Sequence, residues 1–189
     1  MRNLLLLASL ALIASALYAA DRPADFRAVN WGMSVADVKK AEAAKLQEEK
    51  DGELIFETHI AGEPVVIHYR FDAGKLASAE YDFVQQYRET ERYVEAFDVL
   101  QNQLEKKYGA PLANVQRCDD SFYADYPRRW GTGIVVGKLT RDANWKREKL
   151  LISHSIRALP GGIVGHAVEY QPARDIRSDL QSAEILGAL

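Results

Sequence analysis

Four histidines are the residues of this chain best suited to chemistry, because imidazole titrates near neutral pH and binds metal ions. His154 and His166 lie in two strand-like runs that a Leu-Pro-Gly turn connects. If that turn pairs Ile156 with Val164, the two imidazoles face each other and could bind a metal or titrate as a coupled pair. A two-residue turn at Pro160-Gly161 would separate them, and ordinary core or edge histidines are the alternative.

The other two histidines, His59 and His68, fall on the polar side of strands whose apolar and polar residues alternate. They lie near Glu57 and Arg70, and two imidazoles beside a carboxylate could ligate zinc. The further ligands of such a site cannot be named, and a solvated sheet face accounts for the same pattern. We therefore predict neither a metal ion nor a cofactor.

Other catalytic signatures do not occur in the sequence. The segment 133–140 is similar to a phosphate-binding loop, but it has three residues instead of four between Gly and Gly-Lys, and its Ile-Val-Val predicts a strand. Neither Gly-x-Ser-x-Gly nor His-Glu-x-x-His is present. Cys118 lies beside Asp119 and Asp120, whose negative charges disfavour a thiolate nucleophile. We predict no catalytic residue.

A basic aromatic segment is the remaining candidate for binding. Its side chains come from two neighbouring stretches, Arg128, Arg129, Trp130, Arg141, Trp145, Lys146, Arg147 and Lys149. Aromatic residues combined with arginine are common at protein interfaces. One hypothesis is that residues 141–149 form a loop near Trp130. A partner would then contact Trp130, Trp145, Arg141 and Arg147. The alternative is a solvated hairpin loop whose tryptophan folds back.

A helix start explains the most distinctive stretch of the sequence, NWGMSVADVKKAE at 30–42. With Ser34 as the N-cap, its hydroxyl and the Asp37 carboxylate form a capping box. Met33 and Val38 then occupy the positions of a hydrophobic staple. We predict a helix from Ser34 to about Gln47 and assign the preceding tryptophan to the core.

Hydrophobic periodicity predicts the remaining elements. Strands are expected at 54–60, 65–71, 76–83, 128–140, 148–157 and 162–170, and a second helix at 90–108. A three-residue loop with Gly74 in the left-handed conformation would pair Phe71 with Lys75. The element order predicts an α+β fold in one domain over 21–175, made of two αβββ units at about 30–86 and 87–172 whose antiparallel sheet packs against helices.

The N-terminal 20 residues have the pattern of a secretory signal peptide: Arg2, an apolar run over 4–17 and small residues at the exit. An uncleaved anchor is the alternative. The single cysteine cannot form an internal disulfide, and there is no Asn-x-Ser/Thr sequon. We predict export to the periplasm of a Gram-negative bacterium, with no membrane segment left after cleavage. The tail at 176–189 could form a short helix.

Charge argues against one class of partner. The formal net charge is −3, whereas a nucleic-acid-binding domain is distinctly basic. We expect a protein or another envelope component as the partner instead.

Three motifs carry a family resemblance: WGMSVADV, YRFDAGKLASAEYDF and LEKKYGAP. Together they resemble a class of small exported bacterial proteins with WGMS-x-x-x-V, F-x-x-GKL and YG-x-P. The Gly-Met-Ser-x-x-x-Val piece and the strand order are also similar to the SmpA/OmlA (BamE) group and to β-lactamase-inhibitor-like domains. The resemblance implies a non-catalytic binding module of the cell envelope. A metal-binding protein or metal-dependent enzyme that uses the histidines is the alternative.

Overall fold

One antiparallel sheet organises the chain in the computed structural model, which describes residues 24–60 and 62–173. The predicted signal peptide and C-terminal tail helix lie outside these residues. The strands are β1 (Lys45–Lys50), β2 (Glu53–Ile60), β3 (Glu63–Asp72), β4 (Lys75–Phe83), β5 (Ala113–Cys118), β6 (Leu139–Arg147), β7 (Leu150–Leu159) and β8 (Ile163–Pro172). Their order across the sheet is β1-β2-β3-β4-β8-β7-β6-β5. Two four-stranded meanders therefore meet where β4 pairs with β8.

The helices among the described residues lie on one side of this sheet. They are α1 (Val35–Ala41), α2 (Glu91–Tyr108), α3 (Ser121–Ala124), a 3-10 turn (Pro127–Arg129) and α4 (Trp130–Val135). A row of buried side chains runs across neighbouring strands through Leu54, Tyr69, Ala79, Tyr170, Ile152 and Trp145. Val38 of α1 and Leu104 of α2 pack against this row in one core cluster. None of the helices in the described residues has both the length and the apolar character needed to cross a membrane.

The predicted α+β fold of two αβββ units is wrong, because the described residues form one β-rich, eight-stranded antiparallel sheet with a few helices. Residues assigned to the first helix form β1 instead, since α1 ends at Ala41. The segment predicted as a strand at 128–140 folds mainly into the 3-10 turn and α4. Gly131 and Gly133 allow α4 to pack closely against its neighbours. A Cβ at Gly131 would lie 2.1 Å from the Thr90 carbonyl oxygen.

The predicted register of the β3–β4 hairpin is also wrong. Asp72 pairs with Lys75 across a two-residue turn whose residues, Ala73 and Gly74, have φ of 46° and 75°. Positive φ at both positions is the type I′ geometry that fits strand twist. A bulge then places Tyr69 opposite Ala79, so the apolar face is preserved.

The predicted helix cap is confirmed. Ser34 is the N-cap of α1, and its hydroxyl accepts a hydrogen bond from the Asp37 backbone N–H at 3.2 Å. The same hydroxyl donates to the Asp37 carboxylate at 2.7 Å. Hydrogen bonds from the Ser34 side chain and backbone lower the pKa of Asp37. The stretch before the cap is held to the sheet, because the backbone N–H of Gly32 donates to the Leu76 carbonyl at 2.9 Å.

Candidate functional site

The two C-terminal histidines meet in the interior of the protein. His154 on β7 and His166 on β8 are 0% and 6% exposed, and their Nε2 atoms lie 2.9 Å apart. The contact was expected only if Ile156 paired with Val164, and it forms although that register is wrong. Ile156 pairs with His166 rather than with Val164, so the imidazoles are diagonal neighbours. The turn uses residues 160–162, which shifts the pairing by two positions and keeps both rings on one face.

A chain of polar side chains fixes the proton positions of this pair. The Gln101 amide nitrogen donates to Glu105 Oε1 at 2.8 Å, which turns the amide oxygen towards His154. That oxygen lies 3.2 Å from His154 Nδ1, so this nitrogen carries a proton. In the neutral ring His154 Nε2 is then an acceptor, and His166 Nε2–H must donate to it. His166 Nδ1 is consequently an unprotonated acceptor.

Burial keeps both rings neutral. It lowers the pKa of His166 to about 4 and lowers that of His154 as well, where His166 and the Arg141 cation act in the same direction. The Phe97 ring stacks on His154 with centroids 3.9 Å apart, and Phe83 stacks on His166 at 5.0 Å. The pair is thus held between aromatic rings of α2 and β4.

A cavity of about 260 Å³ opens beside His166, between α2 and the sheet. Its walls are largely apolar and aromatic, with contributions from Ile60, Phe83, Tyr87, Tyr93, Val99 and Leu100. Arg92 lies near the cavity and its guanidinium packs 4.6 Å from the centre of the Tyr87 ring. This cavity combines an apolar lining with the buried histidine pair.

A second feature lies on the opposite side of the sheet, which no described helix covers. We call it the open face and define its centre by Glu53, Arg70, Glu80, Asp82 and Glu169. Arg70 lies 3.2 Å from both the Glu53 and the Glu80 carboxylates and 3.9 Å from that of Glu169. One guanidinium is therefore shared by three carboxylates on three strands.

Asp82 adds a fourth carboxylate to this centre. Burial, together with the Glu80 charge, raises its pKa, and it forms no hydrogen bond or ion pair with any residue that the structure describes. A shallow cleft of about 240 Å³ passes over this position, lined in part by Ser153, Ser155 and Arg157. The four carboxylates thus lie around one guanidinium, Arg70, and the His68 ring, whereas Arg157 at the cleft pairs with Asp142. Negative charge is in excess at the centre of the open face.

The structure separates the residues proposed as a basic aromatic interface. Residues 139–147 form β6 rather than a loop, and Trp145 is 1% exposed, with its indole N–H donating to the Gly109 carbonyl at 2.8 Å. Arg141 pairs with Asp98 at 2.7 Å over the Phe97 ring. Neither side chain is displayed to a partner on the surface.

The other two members of that set also have internal contacts. The half-buried Trp130 packs against the second core cluster and donates to the Ala124 carbonyl at 3.3 Å. The guanidinium of Arg147 donates to the Lys146 carbonyl at 2.9 Å. Trp130 and Trp145 belong to different core clusters, so the tryptophans do not form one patch.

The N-terminal pair of histidines is not brought together. His59 is exposed opposite Pro64, whereas His68 lies opposite Ile55 with its Nδ1 3.0 Å from Glu53. Four residues along β3 separate the two positions, which corresponds to about 13 Å. In the described part of the chain, no group of three His, Cys, Asp or Glu side chains could hold a metal ion.

Sequence reasoning did not single out Gln101, Glu42 or the carboxylates of the open face. Gln101 lies within the apolar stripe of α2, and a polar residue at such a position was the available signal. Comparison with protein-family models, curated proteins and solved structures finds no match to this chain. The resemblance to exported binding modules therefore stays a prediction.

Proposed function

We propose that this protein is an exported, non-catalytic binding module of the periplasm, and that its open face binds a basic segment of a partner protein. The apolar N-terminal pattern and the motif resemblance support export and binding. The open face supports the kind of partner. Its central carboxylates outnumber the cations that contact them, and this single observation carries the proposal.

Local charge is what favours a basic partner. Glu80 and Glu169 are directly opposite each other on β4 and β8, an arrangement of like charges that is destabilising. Arg70 relieves part of this repulsion, because it contacts both carboxylates. Asp82 has no such partner in the described residues. A lysine or arginine from another chain would compensate this remaining charge.

The position of the cluster also suits recognition. The carboxylates are 21% to 33% exposed at Glu53, Glu80 and Glu169, so they are accessible but partly desolvated. Charge pairs in such positions contribute more than fully solvated pairs, and complementary potentials raise association rates. Since they project from paired strands rather than from a loop, their spacing is set before a partner arrives.

The experiment is a titration of the protein with tetralysine at low ionic strength, in which the amide chemical shifts of the protein are measured. We expect shifts centred on β4 and β8 that weaken as salt is added. The triple variant Glu80→Gln, Asp82→Asn, Glu169→Gln should lose them. Pull-downs from envelope extract with the same two proteins would then identify the natural partner.

A matched control removes the same charge elsewhere. Glu48, Glu89 and Asp119 are exposed and make no ion pair within the described structure, so Glu48→Gln, Glu89→Gln, Asp119→Asn alters the net charge equally. This variant should bind tetralysine like the wild type. If it loses binding to the same extent, net charge rather than the open face is responsible and the proposal is wrong. Absence of any shift in the wild type has the same consequence.

A further inference from the structure

The base of the cavity beside α2 has an unusual combination of groups. His166 contributes to its lining and is 6% exposed, yet its Nδ1 forms no hydrogen bond with any described residue. The buried polar atoms without a partner in this part of the chain are Asn30 Oδ1, Trp31 Nε1 and Arg141 Nη1. His166 Nδ1 is not among these enclosed atoms, and His166 itself lines the cavity.

The polar chain behind His166 determines what this nitrogen can do. Gln101, held by Glu105, requires a proton on His154 Nδ1, and His154 then requires the proton of His166 on Nε2. Nδ1 is left as a hydrogen-bond acceptor with a neutral ring. A ligand must therefore supply a donor at this point, and an anion would meet an unfavourable lone pair.

The walls define the rest of the ligand. Phe83, Tyr87 and Tyr93 provide aromatic surfaces around a space of about 260 Å³, which suits one compact ring rather than a long chain. The charged residues that line the cavity are Glu63, Arg92 and Glu95. Arg92 packs over Tyr87, and the two carboxylates disfavour an anionic ligand. A neutral aromatic molecule therefore fits this lining better than an anionic one.

We propose that this cavity is a binding site for a small phenol, whose ring packs among the aromatic walls and whose hydroxyl donates to Nδ1 of His166. The site is separate from the open face, because α2 covers the cavity on the other side of the sheet. Binding of a phenol and binding of a basic partner can therefore succeed or fail independently.

The first test uses the wild-type protein and two probes, phenol and toluene, which share a ring but differ in the hydroxyl donor. Long-range ¹H–¹⁵N correlation spectra assign the protonated nitrogen of each histidine. We expect His154 as the Nδ1–H tautomer and His166 as the Nε2–H tautomer. Phenol should shift the His166 Nδ1 resonance strongly, and toluene should not. A protonated His166 Nδ1, or equal responses to both probes, would overturn the proposal.

The second test removes the acceptor while keeping an aromatic ring. His166→Phe should weaken phenol binding about threefold to tenfold and change toluene binding by less than about twofold. Equal weakening of both probes would mean that the hydroxyl makes no specific contact. If this variant does not fold, the tautomer and shift measurements on the wild type decide the question alone.

The third test fills the space without touching the histidines. Ala96 lies on α2 at the cavity wall, so Ala96→Leu should abolish binding of both probes. Asn102 is exposed on the same helix, and Asn102→Leu is the matched control that should bind phenol like the wild type. Unchanged phenol binding in Ala96→Leu would place the probe elsewhere and contradict the proposal.

Discussion

At the scale of single residues, Glu42 shows how this protein accommodates a buried charge. Both of its carboxylate oxygens accept hydrogen bonds from Arg27, at 2.8 and 2.9 Å, and the Tyr69 hydroxyl and the Ala44 N–H also donate to it. Burial alone would raise its pKa, but the hydrogen bonds from Arg27 and Tyr69 lower it. Glu42 thereby fastens the segment around Arg27 to the end of α1 and to β3.

Glu42→Gln tests this role. The amide keeps the size but loses the charge that compensates Arg27, so we expect a loss of about 2–3 kcal/mol in the free energy of unfolding. Because 27% of the Arg27 side chain is exposed, we expect this loss of stability to be at the lower end of the range for buried ion pairs. Urea denaturation monitored by tryptophan fluorescence measures it.

The control for this variant is Glu49→Gln, which removes the partner of Lys39 in a pair whose side chains are 51% and 38% exposed. Exposed pairs contribute less than about 1 kcal/mol, so this substitution should be nearly neutral. Equal losses in the two variants would contradict the structural role of Glu42.

The histidine pair predicts acid sensitivity. In the folded protein the pKa of His166 is about 4 because of burial, against 6.5 when exposed, and the pKa of His154 is also lowered. As pH falls below 6.5, the unfolded chain binds protons that the folded chain does not bind. The free energy of unfolding is therefore highest above pH 6.5 and decreases towards pH 4. Between about pH 7 and about pH 5 the loss is on the order of 2 kcal/mol per histidine.

Urea denaturation across this pH range is the measurement. Burial raises the pKa of Asp82, so this carboxylate also contributes to the pH dependence. The informative quantity is therefore the difference between wild type and the double variant His154→Leu, His166→Phe. The variant should lose most of the pH dependence between about pH 7 and about pH 5. An unchanged slope would show that other groups cause it.

At the scale of elements, α4 is the part of the fold that local sequence misrepresents most. Its Ile134-Val135-Val136 run has high strand propensity, yet the first two residues are helical and Ile134 is fully buried. Gly131 lets α4 approach the start of α2 more closely than any side chain would allow. Packing against α2 outweighs the strand propensity here.

Gly131→Ala should therefore destabilise the protein by more than about 3 kcal/mol, because the new Cβ would overlap backbone atoms that cannot move freely. Gly165→Ala is a suitable control, since its Cβ would meet the end of the exposed Leu159 side chain, which can rotate away. We expect a thermal denaturation midpoint clearly lower for the first variant. Equal midpoints would contradict the close packing of α4.

At the scale of the whole molecule, one sheet with helices on one side creates two different environments. The helix-covered face holds the core clusters, the histidine pair and the cavity. The opposite face carries the shared Arg70 and its carboxylates. The direct pairing between meanders involves residues 79–82 and 167–170, but Tyr69 and Trp145 lie in one core cluster. Side-chain packing thus joins both meanders.

This joint core predicts cooperative unfolding, which native-state hydrogen exchange can measure. Amides of β3 and β7, which lie in different meanders, should exchange with the same slowest rates, because both require global opening. Amides of β1 should exchange much faster, since this edge strand is exposed throughout. Protection of β3 that survives the opening of β7 would show that the meanders unfold separately.

Periodic patterns in the sequence were enough to locate most strands, the long helix and the cap of α1, because these depend on neighbours a few residues apart. Pairing was harder to predict: the bulge in β4 and the three-residue turn before β8 each shift a register without changing which side chains share a face. The contact of His154 with His166 survived this shift, because both residues kept the same face.

By itself, the amino-acid sequence determined the alternation of β2, β3, β4, β7 and β8, the start of α1, and the absence of common catalytic motifs. The tertiary structure alone decided that Trp145 is a core residue, that α4 is a helix, and that Arg70 serves three carboxylates. Local patterns identify the faces of an element, whereas the partner of each face depends on residues far away in the chain. Burial, charge compensation and access to a cavity arise only when those distant residues meet.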